Sequence, residues 1–327
     1  MLKVSTAPHI YSSTDTRTIM RDVIIALAPA GLAAIVFFGL NALITIATAV
    51  AGCVFFEYAA CRYWFRTQTS TSDLSAVVTG ILLAYNLPCN MPIWMILIGC
   101  FVAIIVTKSA FGGIGKNLFN PALAGRVFLF VSFPVQMTTW VNPNWKDFLN
   151  VDVTTSATTL GILKHADKGT SFFELADKLP SYSDMFLGNI GGSMGEISAI
   201  ALLLGLCWML YHRVISWHIP TFYVGSFMLL NIIFWFLTGN ATCEPLTQLL
   251  SGGLLLGAFF MATDYTTSPM SSHGKIIFAI GCGVLTFVIR QYGSYPEGVS
   301  FAILIMNAFV PLIDKVCHPR IFGTGRK

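Results

Sequence analysis

Residues 22–60 read DVIIALAPAGLAAIVFFGLNALITIATAVAGCVFFEYAA, and in that run only Asp22 and Glu57 carry charge. About 20 apolar residues in a helix cross the ~30 Å hydrocarbon core of a bilayer, so the run is long enough for two passages, 22–39 and 41–60. Working outward, further apolar stretches fall at roughly 74–88, 92–107 and 119–137, and then at 196–211, 219–237, 246–263, 275–290 and 299–314. The whole composition agrees: 55% of the chain is apolar and only 10% charged. A soluble domain carries about a quarter charged residues, because its surface must be polar whatever the size of its core. These proportions exclude the soluble class.

One long polar segment, about 138–195, separates five apolar stretches from five. The organisation expected is 1–137 as a first five-helix transmembrane repeat, 138–195 as an external segment on the periplasmic side, and 196–327 as a second five-helix repeat. Lysine and arginine orient the set, since cytoplasmic loops retain them. With the N-terminus cytoplasmic, the inner face collects Lys3, Arg17, Arg21, Arg62, Arg66, Lys108, Lys116, Arg213, Lys275, Lys315, Arg320, Arg326 and Lys327. The outer face keeps Lys146, Lys164, Lys168, Lys178 and Arg290, together with acids that include Glu196 and Glu297. Both termini are then cytoplasmic. Five is odd, so the second group enters from the opposite side, and repeated groups would be inverted repeats. Thr79-Gly80-Ile81-Leu82-Leu83-Ala84 resembles Gly252-Gly253-Leu254-Leu255-Leu256-Gly257 at the matching place. The expected fold class is an all-α polytopic membrane protein with about ten transmembrane helices in two inverted five-helix repeats.

Several functions are disfavoured. The first 22 residues are polar, and the apolar run after them leads straight into another, which is unlike a cleaved signal peptide. The eight cysteines are scattered, with no CxxC and no Cys/His cluster, so no metal or iron–sulfur site is expected from this chain alone. A net charge of +4 gives no reason to invoke nucleic acid. No GxGxxG follows a strand, so direct NAD binding is not expected.

Three loops are unlike ordinary connections. Residues 152–160 (DVTTSATTL) are rich in hydroxyls, which alone indicate a turn or a helix N-cap. Residues 111–122 (FGGIGKNLFNPA) combine Gly112 and Gly113, where backbone can approach a ligand closely, with the amides of Asn117 and Asn120, and Arg126 follows. Its plain alternative is a tight connection ahead of a capped helix. Residues 292–298 (YGSYPEG) carry Tyr295 and Glu297; an aromatic belt with a turn would also explain them.

These loops resemble the RnfD/NqrB family. Asp152-x-x-Thr155-Ser156-Ala157-Thr158 follows that family's flavinylation motif D-x-x-[S/T]-G-A-T, in which FMN phosphate is esterified to the last threonine. The 111–122 loop, the Ala258–Asp264 stretch followed by Thr267-Ser268-Pro269, the Tyr295–Gly298 run, and Ala7-Pro8-His9-Ile10 with Ile19-Met20-Arg21-Asp22 are similar to family patterns as well. The matches run in order along nearly the whole chain. Ser156 departs from the motif, standing where the family has glycine.

The resemblance implies a flavin-carrying subunit of an ion-translocating oxidoreductase in the bacterial inner membrane. It would move electrons between ferredoxin and NAD while Na⁺ or H⁺ is translocated, and it would not be catalytically complete alone. It implies covalent FMN on Thr158, non-covalent riboflavin at Asn117 and Asn120, and flavin surroundings at Gly112, Gly113, Arg126, Tyr295 and Glu297. The implied partners are RnfA, RnfB, RnfC, RnfE and RnfG, beside membrane lipid. Alternatives are an NqrB-like quinone reductase component, disfavoured by length, and a non-redox channel or transporter of the same architecture. Glu57, an ionisable group at membrane depth, and Asp22 are ion-pathway candidates; Glu57 reads equally as a buried structural carboxyl. Asp73 and Asp264 read as helix caps.

Overall fold

The computed structural model describes residues 15–64, 70–143, 155–165, 179–293 and 295–317. Ala7-Pro8-His9-Ile10, Asp152 and Ser294 lie outside the described residues.

Helix α1 (Thr16–Ala59) starts where the Asp15 carboxylate accepts from the Thr16 N–H at 2.8 Å. At Gly39 the backbone turns to φ 63°, ψ −142°, a conformation glycine reaches without steric cost, so the two apolar runs form two helical segments joined there. The second segment widens into a π turn over Ala60–Trp64. Next come α2 (Ser75–Tyr85), α3 (Ile93–Phe101) running into a π segment over Val102–Ser109, α4 (Pro121–Ser132) and α5 (Pro134–Met137). In the polar segment, β1 (Trp140–Val141) pairs antiparallel with β2 (Thr155–Ser156), Trp140 lying opposite Ser156. Helices α6 (Thr159–His165) and α7 (Tyr182–Leu187) follow. The second apolar group gives α8 (Ala199–Tyr211), α9 (His218–Thr238), α10 (Pro245–Leu250), α11 (Leu254–Leu256) passing into a π segment over Gly257–Met261, α12 (Ser272–Tyr292) and α13 (Val299–Val316).

Among the described residues, four helices are long and apolar enough to cross a membrane: Thr16–Trp64, α9, α12 and α13. The other apolar helices are shorter: α2, Ile93–Ser109, α4 and α8. The expected 119–137 stretch divides because Pro134 has no N–H for a helix to use, so α4 stops at Ser132. The 246–263 stretch divides at Gly252, whose φ is 70°. Leu32, Phe55, Leu204, Phe236 and Leu312 lie exposed around the outside. A soluble protein seldom leaves so much large apolar surface bare. The architecture is consistent with a polytopic membrane protein.

Helix α1 packs on α2, α3 and α8; α9 packs on α12, and α12 on α13. Gly80 permits the first of these contacts, since a Cβ there would sit 2.7 Å from Val50 Cα and 2.9 Å from the Ala49 carbonyl. Small residues at crossings are how apolar helices approach without a hydrophobic driving force between them. Helices α4 and α13 run antiparallel. Arg126 on α4 reaches Ser300 near the start of α13, and Asn307, further along α13, accepts from the Asn120 N–H at 3.2 Å in the amide orientation that satisfies its own atoms.

Candidate functional site

Two cavities lie at opposite ends of α4. The larger, about 340 Å³, sits at its N-terminal end. Its walls are the first turns of α1 (Thr16, Ile19, Met20, Val23), one face of α2 (Ser75, Val78, Thr79, Leu82), the loop residues Ile114, Gly115 and Asn117, and Asn120 to Ala122. Phe260, Thr263, Asp264 and Tyr265 close it beyond the last π segment. That volume falls within the range of about 300–1,000 Å³ typical of sites for cofactors and drug-sized ligands.

Asn120 is the N-cap of α4. Its Oδ1 accepts from the N–H groups of Ala122 (3.0 Å) and Leu123 (3.4 Å), while Nδ2 donates to the Met261 carbonyl at 3.1 Å. Asn117 donates to the Phe119 carbonyl at 3.2 Å, and both asparagines are buried. Gly112 and Gly113 have φ of 106° and 91°, so the loop bends as only glycine does freely. They form the turn behind the wall rather than the wall itself.

A buried ion pair borders this cavity. Lys108 Nζ donates to both Glu57 oxygens (2.9 and 2.8 Å) and to Ser75 Oγ (2.6 Å), and the Ser75 hydroxyl donates to Asp73 at 2.6 Å. Lys108 therefore departs from the expectation of an inner-loop cation: it is 4% exposed, inside a π segment, facing a carboxylate that is 1% exposed. In such a buried place each charge helps to make the other tolerable. Asp73 also accepts from the Ser75 N–H, and Asp264 accepts from Thr266 and Thr267, so both stabilise local turns. Asp22 lies 3.9 Å from Arg21 near the surface and lines neither cavity.

The smaller cavity, about 50 Å³, lies at the other end of α4. Thr158, Thr159 and Leu160 line it with Phe130, Trp140, Ser193, Glu196, Gly252, Pro296 and Glu297. Thr158 caps α6, its Oγ1 accepting from the Gly161 N–H at 3.1 Å. Helix α6 is held in place by Lys164, whose Nζ donates to the carbonyls of Arg290 (3.1 Å), Tyr295 (3.0 Å) and Gly293. Partial burial lowers the Lys164 pKa from the ordinary lysine value. Tyr295 packs edge-on against Phe130 at 4.8 Å and stacks on Phe301.

Arg126 belongs to this end. It lies six residues beyond Asn120, about 9 Å further along a helix rising 1.5 Å per residue. Its Nη1 donates to Asn86 (2.5 Å), Glu196 (3.1 Å) and Ser300 (3.0 Å), and its Nη2 to Glu297. The sequence groups Arg126 with the asparagines, and the helix carries it away from them. Glu196, Asn86 and Lys164 were not singled out from sequence; Glu196 and Lys164 looked like ordinary charges of an outer loop. For Glu196 the available signal was its place in the glycine-rich run Gly191-Gly192-Ser193-Met194-Gly195, which resembles a ligand-approaching loop.

A family model described as NQR2, RnfD, RnfE matches residues 3–323. The chain belongs to the NQR2, RnfD, RnfE family. Within it, the chain is similar to the D component of the Na⁺-translocating ferredoxin:NAD⁺ oxidoreductase complex of Acetobacterium woodii, 45% identical over 99% of this chain and 96% of that one. It is 43% identical to the proton-translocating counterpart of Clostridium ljungdahlii, over 99% and 96% of the two chains. It is 33% identical to the D component of the ion-translocating oxidoreductase complex of Escherichia coli O7:K1, over 99% of each. Two family members named for different ions are almost equally similar, so overall identity does not choose the ion.

Proposed function

We propose that the chain is the membrane-embedded, flavin-carrying electron-transfer subunit of an Rnf-type complex that couples electron flow between ferredoxin and NAD to Na⁺ or H⁺ translocation. One observation carries this reading: the motif threonine and the motif asparagines line two different cavities at opposite ends of a single helix. Thr158 would hold FMN through a phosphoester, and Asn117 and Asn120 would hold riboflavin. When bound, the two flavins supply the redox chemistry. The protein would fix their spacing, surround the inner one with largely apolar walls, and set the polar groups around each.

The fit differs between the two. The larger cavity has room for a three-ring ligand and buried amides beside it. The smaller one has room for a few waters or a phosphate, so an isoalloxazine attached at Thr158 would lie over its mouth, against the external segment or a neighbouring protein of the complex. The exposed apolar surface supports embedding in the membrane, where the chain would make ten passages with both termini cytoplasmic, and the antiparallel α4–α13 pair agrees with an inverted repeat. RnfA, RnfB, RnfC, RnfE and RnfG would be its partners in the complex. Glu57, held by Lys108, would serve ion movement only if that pair can open.

In-gel fluorescence of the denatured chain, expressed with a flavin transferase, tests the central claim. The wild-type band should fluoresce and the Thr158→Val band should not. A dark wild-type band would leave a membrane protein without its proposed cofactor and favour the channel alternative.

A further inference from the structure

Beneath Thr158, two carboxyl groups meet one guanidinium. Arg126 donates through Nη1 to Glu196 at 3.1 Å and through Nη2 to Glu297, and the Gly253 N–H donates to Glu297 at 3.3 Å. A Cβ built on Gly253 would touch Oε1 of both glutamates, so these oxygens sit side by side around one guanidinium. Two ionised carboxylates side by side repel and have no hydrogen to give each other, whereas one proton between them removes a charge and supplies a donor. A second observation points into the same cavity. Ser193 Oγ, on a residue 1% exposed, lies against Glu196 and makes no hydrogen bond of good geometry among the described residues.

We infer that Glu196 and Glu297 hold a single exchangeable proton between them at neutral pH, and that this couple is a proton-exchange site for the threonine pocket. With that proton, Glu196, Glu297 and Arg126 sum to zero charge in a buried place. Other titratable groups face the cluster, and Arg290 is near enough to attract both glutamates without bonding to either among the described residues. Arg290 on α12 is spent on the carbonyls of Gln248 and Ser251 and the Gln248 side chain, at the C-terminal, negative end of α10. Tyr223 is bonded to Thr286, and Tyr85, packed against Gly195, donates to the Leu27 carbonyl. A proton fits better than a metal ion, since Arg126 already lies within hydrogen-bond distance of both carboxylates and would repel a second fixed cation. When negative charge builds up in the pocket the proton passes from the couple to the group that carries that charge, leaving both glutamates ionised; when the charge leaves, that group returns its proton to the couple. That coupling rests on the flavin reading, whereas the shared proton does not.

Infrared spectroscopy of the assembled complex over a pH series tests it. A protonated-carboxyl C=O band that shifts in heavy water should be present at neutral pH and lost in both Glu196→Gln and Glu297→Gln. It should persist in Thr158→Val, which separates its failure from that of the flavin reading. Ser193→Ala retains both carboxyls and should shift the band without removing it, which serves if the glutamine variants fail to assemble. A band unchanged in both glutamine variants and in Ser193→Ala would overturn the proposal. So would a band removed by added Na⁺ at constant pH, which would make the site an alkali-cation site.

Discussion

The two ends of α4 solve one problem in opposite ways. At the Asn120 end the chain lines about 340 Å³ with apolar walls and has buried amides to orient whatever binds. At the Phe130 end it leaves about 50 Å³ under a threonine, tied to the loop after α12 by one lysine. A large cavity retains a ligand through buried area and needs no bond. A small one has too little wall to hold a three-ring ligand by contact, so a covalent tether is the physical substitute. If the proposed function is right, the covalent flavin belongs where the cavity is missing and the free flavin where it is present.

The sharpest way to break this contrast is to remove each means of retention alone. Thr158→Val should abolish covalently held flavin completely while leaving the extractable flavin of the purified complex near its parental amount, measured by fluorescence of the denatured band and of the acid extract. Val78→Phe, which places a ring in the larger cavity, should do the reverse, cutting extractable flavin by about tenfold and leaving the covalent band bright. That factor corresponds to roughly 1.4 kcal/mol of lost binding. If either variant lowers both flavins equally, the two cavities are not independent sites.

The next test concerns what holds the larger cavity open. Lys108→Met removes the ammonium that pairs with buried Glu57, and breaking one side of a buried ion pair costs about 3–5 kcal/mol. The thermal unfolding midpoint of the detergent-solubilised complex should fall clearly. Glu57→Gln combined with Lys108→Met removes both charges and should recover much of the loss. A double variant as unstable as the single one would mean that Glu57 is not stranded by the loss of Lys108. On the other side, Lys164→Met removes three donations to carbonyls, and charge-assisted bonds are worth about 1.5–3 kcal/mol each at most. The loss here is smaller, because Lys164 is largely solvated, and it should be local: faster amide exchange in α6 and residues 291–298, with α1 to α4 unchanged.

The sequence made the helical segments legible because apolar runs are long-range averages that tolerate local error. It also placed Thr158 and the asparagines on separate loops, since motif spacing survives folding. It could not show which charges are buried. Lys108 and Glu196 look like loop residues because a π segment and a glycine-rich turn carry them inward, and neither device leaves a periodic trace. Arg126 reads with the Asn117–Asn120 loop because six residues are close in sequence, yet about 9 Å of helix carries it to the other cavity, beside Glu297. The third, fifth and eighth stretches are shorter than hydropathy alone indicates, because hydropathy does not register a Pro134 or a left-handed Gly252.

Ser156 offers the smallest and most specific test. It departs from the motif glycine, and its backbone sits in β2 opposite Trp140, three residues from the start of α6. A residue in an extended strand does not need glycine, so the folded chain tolerates serine there without strain. Under the proposed function, glycine would add freedom in the loop before it settles, when a transferase would reach the Thr158 hydroxyl. Ser156→Gly should therefore leave the final extent of covalent flavin the same and raise the initial rate of its attachment by about two- to threefold, a difference of about 0.4–0.7 kcal/mol in the barrier. A time course of in-gel fluorescence with limiting transferase reads it directly. An unchanged rate would show that the transferase reads the finished strand, and that residue 156 matters to neither end of α4.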